Sequence, residues 1–257
     1  MPELVRPDGA IVHYEVTGSG PPLLALGPVE LDLRPAFTVV APDDRYEGAS
    51  RAPLAPFSYE QAVGDHLAVL DQLGLDRVCL VAAGLRCPQA LRLMYDAPVR
   101  IAAAALVAPV GLDQTNTMDT YFDLYRDTIR RARAEGLEGV VAAAAADPAD
   151  PAGGPWAARL HAEPAFRDSL LSLGRETYIA LVVDFRDGMW PWAEPFFGVN
   201  EVALGRIDEP VLVVPGDDPL HPRGVAEALC RKMSRARLGA LAEVPAFLHA
   251  GLEAVET

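Results

Sequence analysis

RVCLVAAGLRCPQAL, the stretch from Arg77 to Leu91, decides the fold of this chain. Val78 to Val81 is an apolar run. It meets a turn of small residues, Ala82-Ala83-Gly84, and then a helix-like segment. Strand, tight turn and helix in that order mark a place where a parallel sheet presents its carboxyl edge to a ligand.

Reading outward, the same alternation continues. Upstream, Glu3 to Arg6 and Ile11 to Thr17 alternate around Pro7-Asp8-Gly9 and predict an opening hairpin. Leu23 to Leu26 and Phe37 to Ala41 read as short buried strands. The β-branched core of the second, Thr38-Val39-Val40, suits the middle of a parallel sheet. Tyr59 to Leu73 carries Val63, Leu67, Leu70 and Leu73 on one helical face and ends at Gly74. His66 lies on this helix and reads as a satisfied or exposed helix histidine. Downstream, Ile101 to Ala108 is the next strand. Residues 112–200 read as an insertion, with helices over Met118 to Ala134 and about 165–185. A proline-broken aromatic segment, Met189 to Phe197, closes it. Val211 to Pro215 and Arg237 to Leu241 complete the strands. Gly224 to Met233 and Ala246 to Val255 complete the helices.

These motifs together resemble the α/β-hydrolase superfamily, in its capped branch. There the stretch that corresponds to Arg77 onward reads roughly R-x-x-V-x-G-G-[C/S]-x-G-x-S. Pro42 to Ser50 is similar to the D-x-R-x-x-G-x-S turn, with Asp43, Arg45, Gly48 and Ser50 in the matching places. Gly216 to Pro222 is similar to the G-x-D-x-x-H-P turn, which puts Asp218 at the position of the triad acid. The resemblance implies an α/β fold: a mostly parallel sheet flanked by helices, with a helical cap inserted after strand six. Residues 1–111 and 201–257 would form the core, and 112–200 the cap.

The resemblance also implies a nucleophile, a base, an acid and two backbone N–H donors for an oxyanion. Aligned without a gap, the nucleophile falls on Gly84, which has no side chain. Arg86 stands where the elbow normally has glycine. Leu26-Gly27 is followed by Pro28, which has no N–H to donate. The backbone N–H of Leu85 is the donor that remains. No histidine lies between Arg237 and Phe247, where the base is expected, and His249 reads as part of the final helix. The sequence thus resembles a degenerate member. Cys87 is an alternative nucleophile, but a small buried residue is the simpler reading of a free cysteine with no thiolate-stabilising neighbour.

Composition narrows the classes further. The chain has 257 residues, 51% of them hydrophobic, enough for one large α/β domain with an insertion. A formal charge of −14 argues against a nucleic acid or an anionic membrane as partner. Three cysteines without C-x-x-C spacing suggest reduced thiols in the cytoplasm. The N-terminus lacks the pattern of a signal peptide. No phosphate-binding glycine loop or H-E-x-x-H pattern appears, so neither cofactor nor metal is expected.

Three functions stay open on these grounds. The first is a non-hydrolytic enzyme acting on a hydrophobic small molecule, of cyclase, lyase or isomerase type, in bacterial biosynthesis. The second is an inactive binding or scaffold protein. The third is a residual hydrolase using Cys87 or His249. A homodimer is left open. The expected catalytic residues are Asp218, with its pKa raised in an apolar pocket, and Asp43 with Arg45. The expected pocket gathers Gly27, Pro28, Gly84, Leu85 and Val110 under Tyr121, Tyr125, Trp190 and Trp192.

Overall fold

In a computed structural model, residues 2–192 and 194–253 are described. Eight strands form one sheet: β1 (Glu3–Val5), β2 (Ile11–Gly18), β3 (Pro22–Leu26), β4 (Thr38–Pro42), β5 (Val78–Ala83), β6 (Ile101–Val107), β7 (Val211–Val214) and β8 (Ala236–Leu238). Their order is β1-β2-β4-β3-β5-β6-β7-β8. β1 and β2 form the expected antiparallel hairpin, and β2 also pairs antiparallel with β4. From β4 to β8 every pairing is parallel. β4 is therefore the seam between the hairpin and the parallel sheet, not the middle of the parallel part.

The side-chain period of two sorts the strands between two cores. Leu24, Leu26, Leu80, Ala82, Ala104 and Leu106 point into one cluster. There they meet α1 (Tyr59–Gln72), α2 (Cys87–Asp96) and α9 (Arg223–Lys232). Leu23, Cys79, Val81, Ala103, Ala105 and Leu212 point the other way, towards Val244 and Leu248 of α10 (Val244–Glu253). The alanine run of β6 has a packing reason. A Cβ on Gly251 of α10 would clash with the Cβ of Ala103, so only small residues allow this close approach. α10 begins two residues before the expected start, and residues 254 and 255 of the expected helix lie outside the described residues.

Between β6 and β7, among the described residues, lie α3 (Met118–Phe122), α4 (Arg126–Ala146), α5 (Ala157–Ala162), α6 (Pro164–Leu171), α7 (Arg175–Met189) and α8 (Glu201–Leu204). The single helix expected over 118–134 is two, and the second runs on to Ala146 with a break at Gly136, where φ is 75°. The helix expected over about 165–185 is also two, separated before Gly174, where φ is 79°. The inserted helices share their own apolar cluster, with Trp156, Tyr178, Val182, Trp190 and Phe197 at its centre. Tyr46 and Tyr59 join it from the sheet domain, so the insertion is packed onto the carboxyl edge of the strands.

Candidate functional site

β5 delivers the chain to Gly84, where φ is 53°. That left-handed conformation is open to glycine and strained for other residues. A Cβ built on Gly84 would lie 3.2 Å from Nε2 of His221. The histidine ring therefore faces the apex of the turn.

His221 is held from behind. Its Nδ1 lies 2.9 Å from Oδ2 of Asp218. Oδ1 of the same carboxylate accepts the backbone N–H of Leu220 at 2.8 Å and of His221 at 2.9 Å. A carboxylate partner keeps the proton on Nδ1 and leaves Nε2 a free acceptor in the neutral ring. The hydrogen bond from His221 holds the Asp218 carboxyl below its ordinary range, with burial opposing it weakly. This corrects the expectation of a raised pKa. Asp218 has not lost its histidine, and its side chain is 53% exposed, not enclosed in an apolar pocket. The base had been expected after β8. A histidine stands instead three residues after Asp218, in the loop that follows β7, and its signal was the D-x-x-H spacing of Asp218 and His221.

On the other side of the apex, Arg86 fills space. Gly27 has φ of 77°, and a Cβ there would lie 2.9 Å from Cγ of Arg86, so the arginine stem crosses the place beside Pro28. Nε of Arg86 pairs with Oδ2 of Asp44 at 3.0 Å, and its NH2 group pairs with Glu47. Burial opposes the charge of Arg86, but the two carboxylates outweigh it and raise its pKa. Burial likewise opposes ionisation of Asp44, but Arg86, His66 and Gln89 bring its carboxyl below the ordinary value.

Beside this turn lies a cavity of about 120 Å³. Of the residues expected to meet in one pocket, Asp43, Arg45, Leu85 and Tyr125 line it. Gly27, Pro28, Gly84, Val110, Tyr121, Trp190, Trp192 and Asp218 do not. The differences have local causes. The Tyr121 hydroxyl lies 2.6 Å from the carbonyl of Gly111 and 2.9 Å from that of Leu220, sharing its one proton between them, and so ties down the turn that carries His221. Val110 is core, Trp190 is buried between Tyr121 and Tyr125, and Pro28 is exposed. Trp192 is 66% exposed, with its ring edge-on to Phe122.

Asp43 and Arg45 have their polar atoms committed elsewhere. Asp43 Oδ2 receives Nδ1 of His13 at 2.9 Å and the N–H of Ala49 at 2.8 Å. A Cβ on Gly48 would strike that carboxylate, which is why glycine stands there. Arg45 pairs with Asp65 and Asp8. These contacts brace the loop after β4. Asp65 is buried between Arg6 and Arg45. Asp65→Ala would leave Arg6 without its carboxylate and Arg45 with Asp8 alone, and its expected effect is a loss of about 3 kcal/mol of unfolding free energy. Urea denaturation checks it; an unchanged midpoint and slope would show the pair to be dispensable.

The two residues of the residual-hydrolase alternative lie elsewhere. Cys87 is fully buried, and its thiol lies 3.4 Å from the carbonyl of Ala82 and 3.5 Å from that of Val107. Burial pushes its pKa far up, which removes the thiolate. His249 is on α10, stacked on Phe37 at 4.5 Å, away from the carboxyl edge. The sequence reading of His66 was half right. It is 2% exposed, Nε2 meets Oε1 of Gln89 at 3.0 Å, and Nδ1 has no partner.

No protein-family model and no curated protein matches the chain. Solved structures do. A hydrolase from Pseudomonas aeruginosa PA01 is 22% identical, with 98% of this chain and 97% of that one covered and a TM-score of 0.61. An alpha/beta hydrolase from Sphaerobacter thermophilus DSM 20745 is 18% identical over 98% and 100%, with a TM-score of 0.63. An enol-lactonase from Burkholderia xenovorans LB400 is 19% identical over 99% and 98%, with a TM-score of 0.59. No helix among the described residues is long and apolar enough to cross a membrane.

Proposed function

With the α/β-hydrolase fold of this chain as the premise, we propose that it is a non-hydrolytic enzyme that moves protons on a hydrophobic small molecule. One observation carries the reading: Nε2 of His221, backed by Asp218, faces an apex that has a glycine and no nucleophile. In this reading residues 1–111 and 201–257 are the core, and 112–200 the cap that covers the substrate. Nε2 takes a proton from a C–H or O–H bond of a substrate held over Gly84. Asp218 keeps the ring oriented and offsets the charge of the imidazolium. Return of the proton at another atom completes an isomerisation, a ring closure or an elimination. No bond to the protein forms, because position 84 offers no atom to make one. Reduced Cys79, Cys87 and Cys230 fit a cytoplasmic setting.

The neighbours named as hydrolases make ester cleavage the rival to exclude. Purified protein is expected to hydrolyse short and medium acyl esters at the background rate. Saturable turnover that survives removal of contaminants would overturn the reading. The binding-protein alternative has its own support, since the Arg86–Asp44–Glu47 cluster spends its charges on closing the site. Tight binding of a metabolite with no conversion over hours would favour it.

A further inference from the structure

We infer that Tyr121 and Asn116, at the start of the insertion, are positioning residues for His221. They grip the turn before it, so the inserted helices set the aim of its ring. The role rests on the base function proposed above for His221.

The turn is held from two sides. Oδ1 of Asp218 accepts the N–H of Leu220 at 2.8 Å and of His221 at 2.9 Å. The carbonyls of the same two peptide groups belong to Pro219 and Leu220. Nδ2 of Asn116 lies 3.0 Å from the carbonyl of Pro219, and the Tyr121 hydroxyl 2.9 Å from that of Leu220. Two successive peptide planes are thus held at both edges, at one by the carboxylate of the turn and at the other by the insertion. A planar peptide gripped at both edges cannot rotate freely. The second plane directs the Cα–Cβ bond of His221, which carries the ring whose Nε2 faces Gly84.

Apolar packing holds the turn at one residue only, and there too the insertion supplies it. Asp217, Asp218 and Pro219 are exposed. Leu220 is half-buried and packs on the cluster built mainly by the inserted helices. Tyr121, by contrast, is fully buried.

The grip starts where the chain enters and leaves the insertion. The Tyr121 hydroxyl accepts the N–H of Gly111 at 3.0 Å and lies 2.6 Å from the carbonyl of the same residue. Nδ2 of Asn116 lies 3.1 Å from that hydroxyl. The N–H of Leu112 donates to the carbonyl of Pro195 at 2.8 Å, which joins entry to exit. On the exit segment the ring of Phe197 meets Tyr121 edge-on at 4.8 Å. Phe197 has φ of 59°, a strained conformation that surrounding contacts must hold. Tyr121 is therefore part of the joint between insertion and sheet domain, and its hydroxyl passes the geometry of that joint to His221. Burial pushes this hydroxyl up to about 12, with the hydrogen bonds of Gly111 and Asn116 opposing, so it keeps its proton and acts by holding.

The test reads aim and function separately. In the wild type, NMR should show a cross-relaxation peak between the Cδ2 proton of His221 and an α proton of Gly84, because Cδ2 lies 3.8 Å from the place of a Cβ on Gly84. Tyr121→Phe keeps the ring against Phe197 and removes the hydroxyl; it is expected to lose that peak. In a Gly84→Ser protein, adding Tyr121→Phe should slow fluorophosphonate labelling of position 84 by about tenfold or more, since a displacement of about 1 Å between reacting groups can cost about 10²-fold. Tyr178→Phe removes another buried hydroxyl of the insertion, 2.6 Å from Oγ1 of Thr128, and should change neither reading. An unmoved peak or an unchanged labelling rate in Tyr121→Phe would overturn the positioning role and leave the base standing. Equal losses in Tyr121→Phe and Tyr178→Phe would overturn it too, by showing general loosening. A peak lost in Tyr121→Phe, beside a Gly84→Ser protein that never labels, would keep the grip and sink the base. Should Tyr121→Phe fail to fold, Asn116→Ala decides by the same two readings.

Discussion

Replacement of His221 by alanine is expected to lower turnover of the cognate substrate by about 10²–10⁴-fold, with the fold intact. The size follows from its place. Nε2 is the free polar side-chain atom facing the apex at Gly84, and Asp218 fixes the ring through Nδ1. The ring side chain is 22% exposed and at the end of a surface turn, so its loss leaves no large void. Asp218→Asn should fall less far in binding than in rate, because an amide can still cap Leu220 but no longer selects the tautomer. Steady-state rates, with circular dichroism as the control for folding, check both. A His221→Ala enzyme at full rate would remove the base from the account.

The second large effect is a gain. Gly84→Ser would put a hydroxyl at the apex within reach of Nε2 of His221. The new Cβ is tight against Nε2 at 3.2 Å, and the partly exposed ring of His221 has room to give by a few tenths of an ångström. Acylation by a nitrophenyl ester is then expected as a burst of about one equivalent, followed by a stall. The stall has two causes in the structure. Pro28 offers no N–H, and the stem of Arg86 lies across Gly27. One missing oxyanion donor alone costs about 10²–10³ in rate. Efficient steady-state esterase activity in the single variant would mean that the oxyanion site is intact and that the placement of Pro28 is wrong.

The fold was legible because burial imposes simple periods. β5 reads as an apolar run, α1 as a stripe, and the turn at Asp43, Gly48 and Ser50 as a motif whose glycine makes room for a carboxylate. The inserted helices were less legible, since breaks at Gly136 and before Gly174 depend on packing that no local pattern announces. At Gly84, Pro28 and Asp218 the sequence shows which residue type stands at each motif position, but not the contacts that join Asp218 to His221 and His221 to Gly84. The place of His221 was not legible, because the motif puts a histidine after β8 and the turn prolines gave the D-x-x-H segment a structural reading. In the sequence Arg86 marks only a departure from the glycine of the elbow. Its pairing with Asp44 and Glu47 joins residues about forty positions apart, which only the folded chain brings together. The aromatic segment misled in the other direction: Trp190 is core and Trp192 is surface.

Covalent labelling with a fluorophosphonate, read by intact mass, tests the central claim most directly. Three proteins suffice: the wild type, Gly84→Ser, and Gly84→Ser combined with His221→Ala. The account predicts no adduct on the wild type, one adduct on Gly84→Ser at position 84, and none on the double variant. An adduct on the wild type would reveal a working nucleophile and contradict a non-hydrolytic site. An adduct on the double variant equal to that on the single one would show that His221 does not serve the apex.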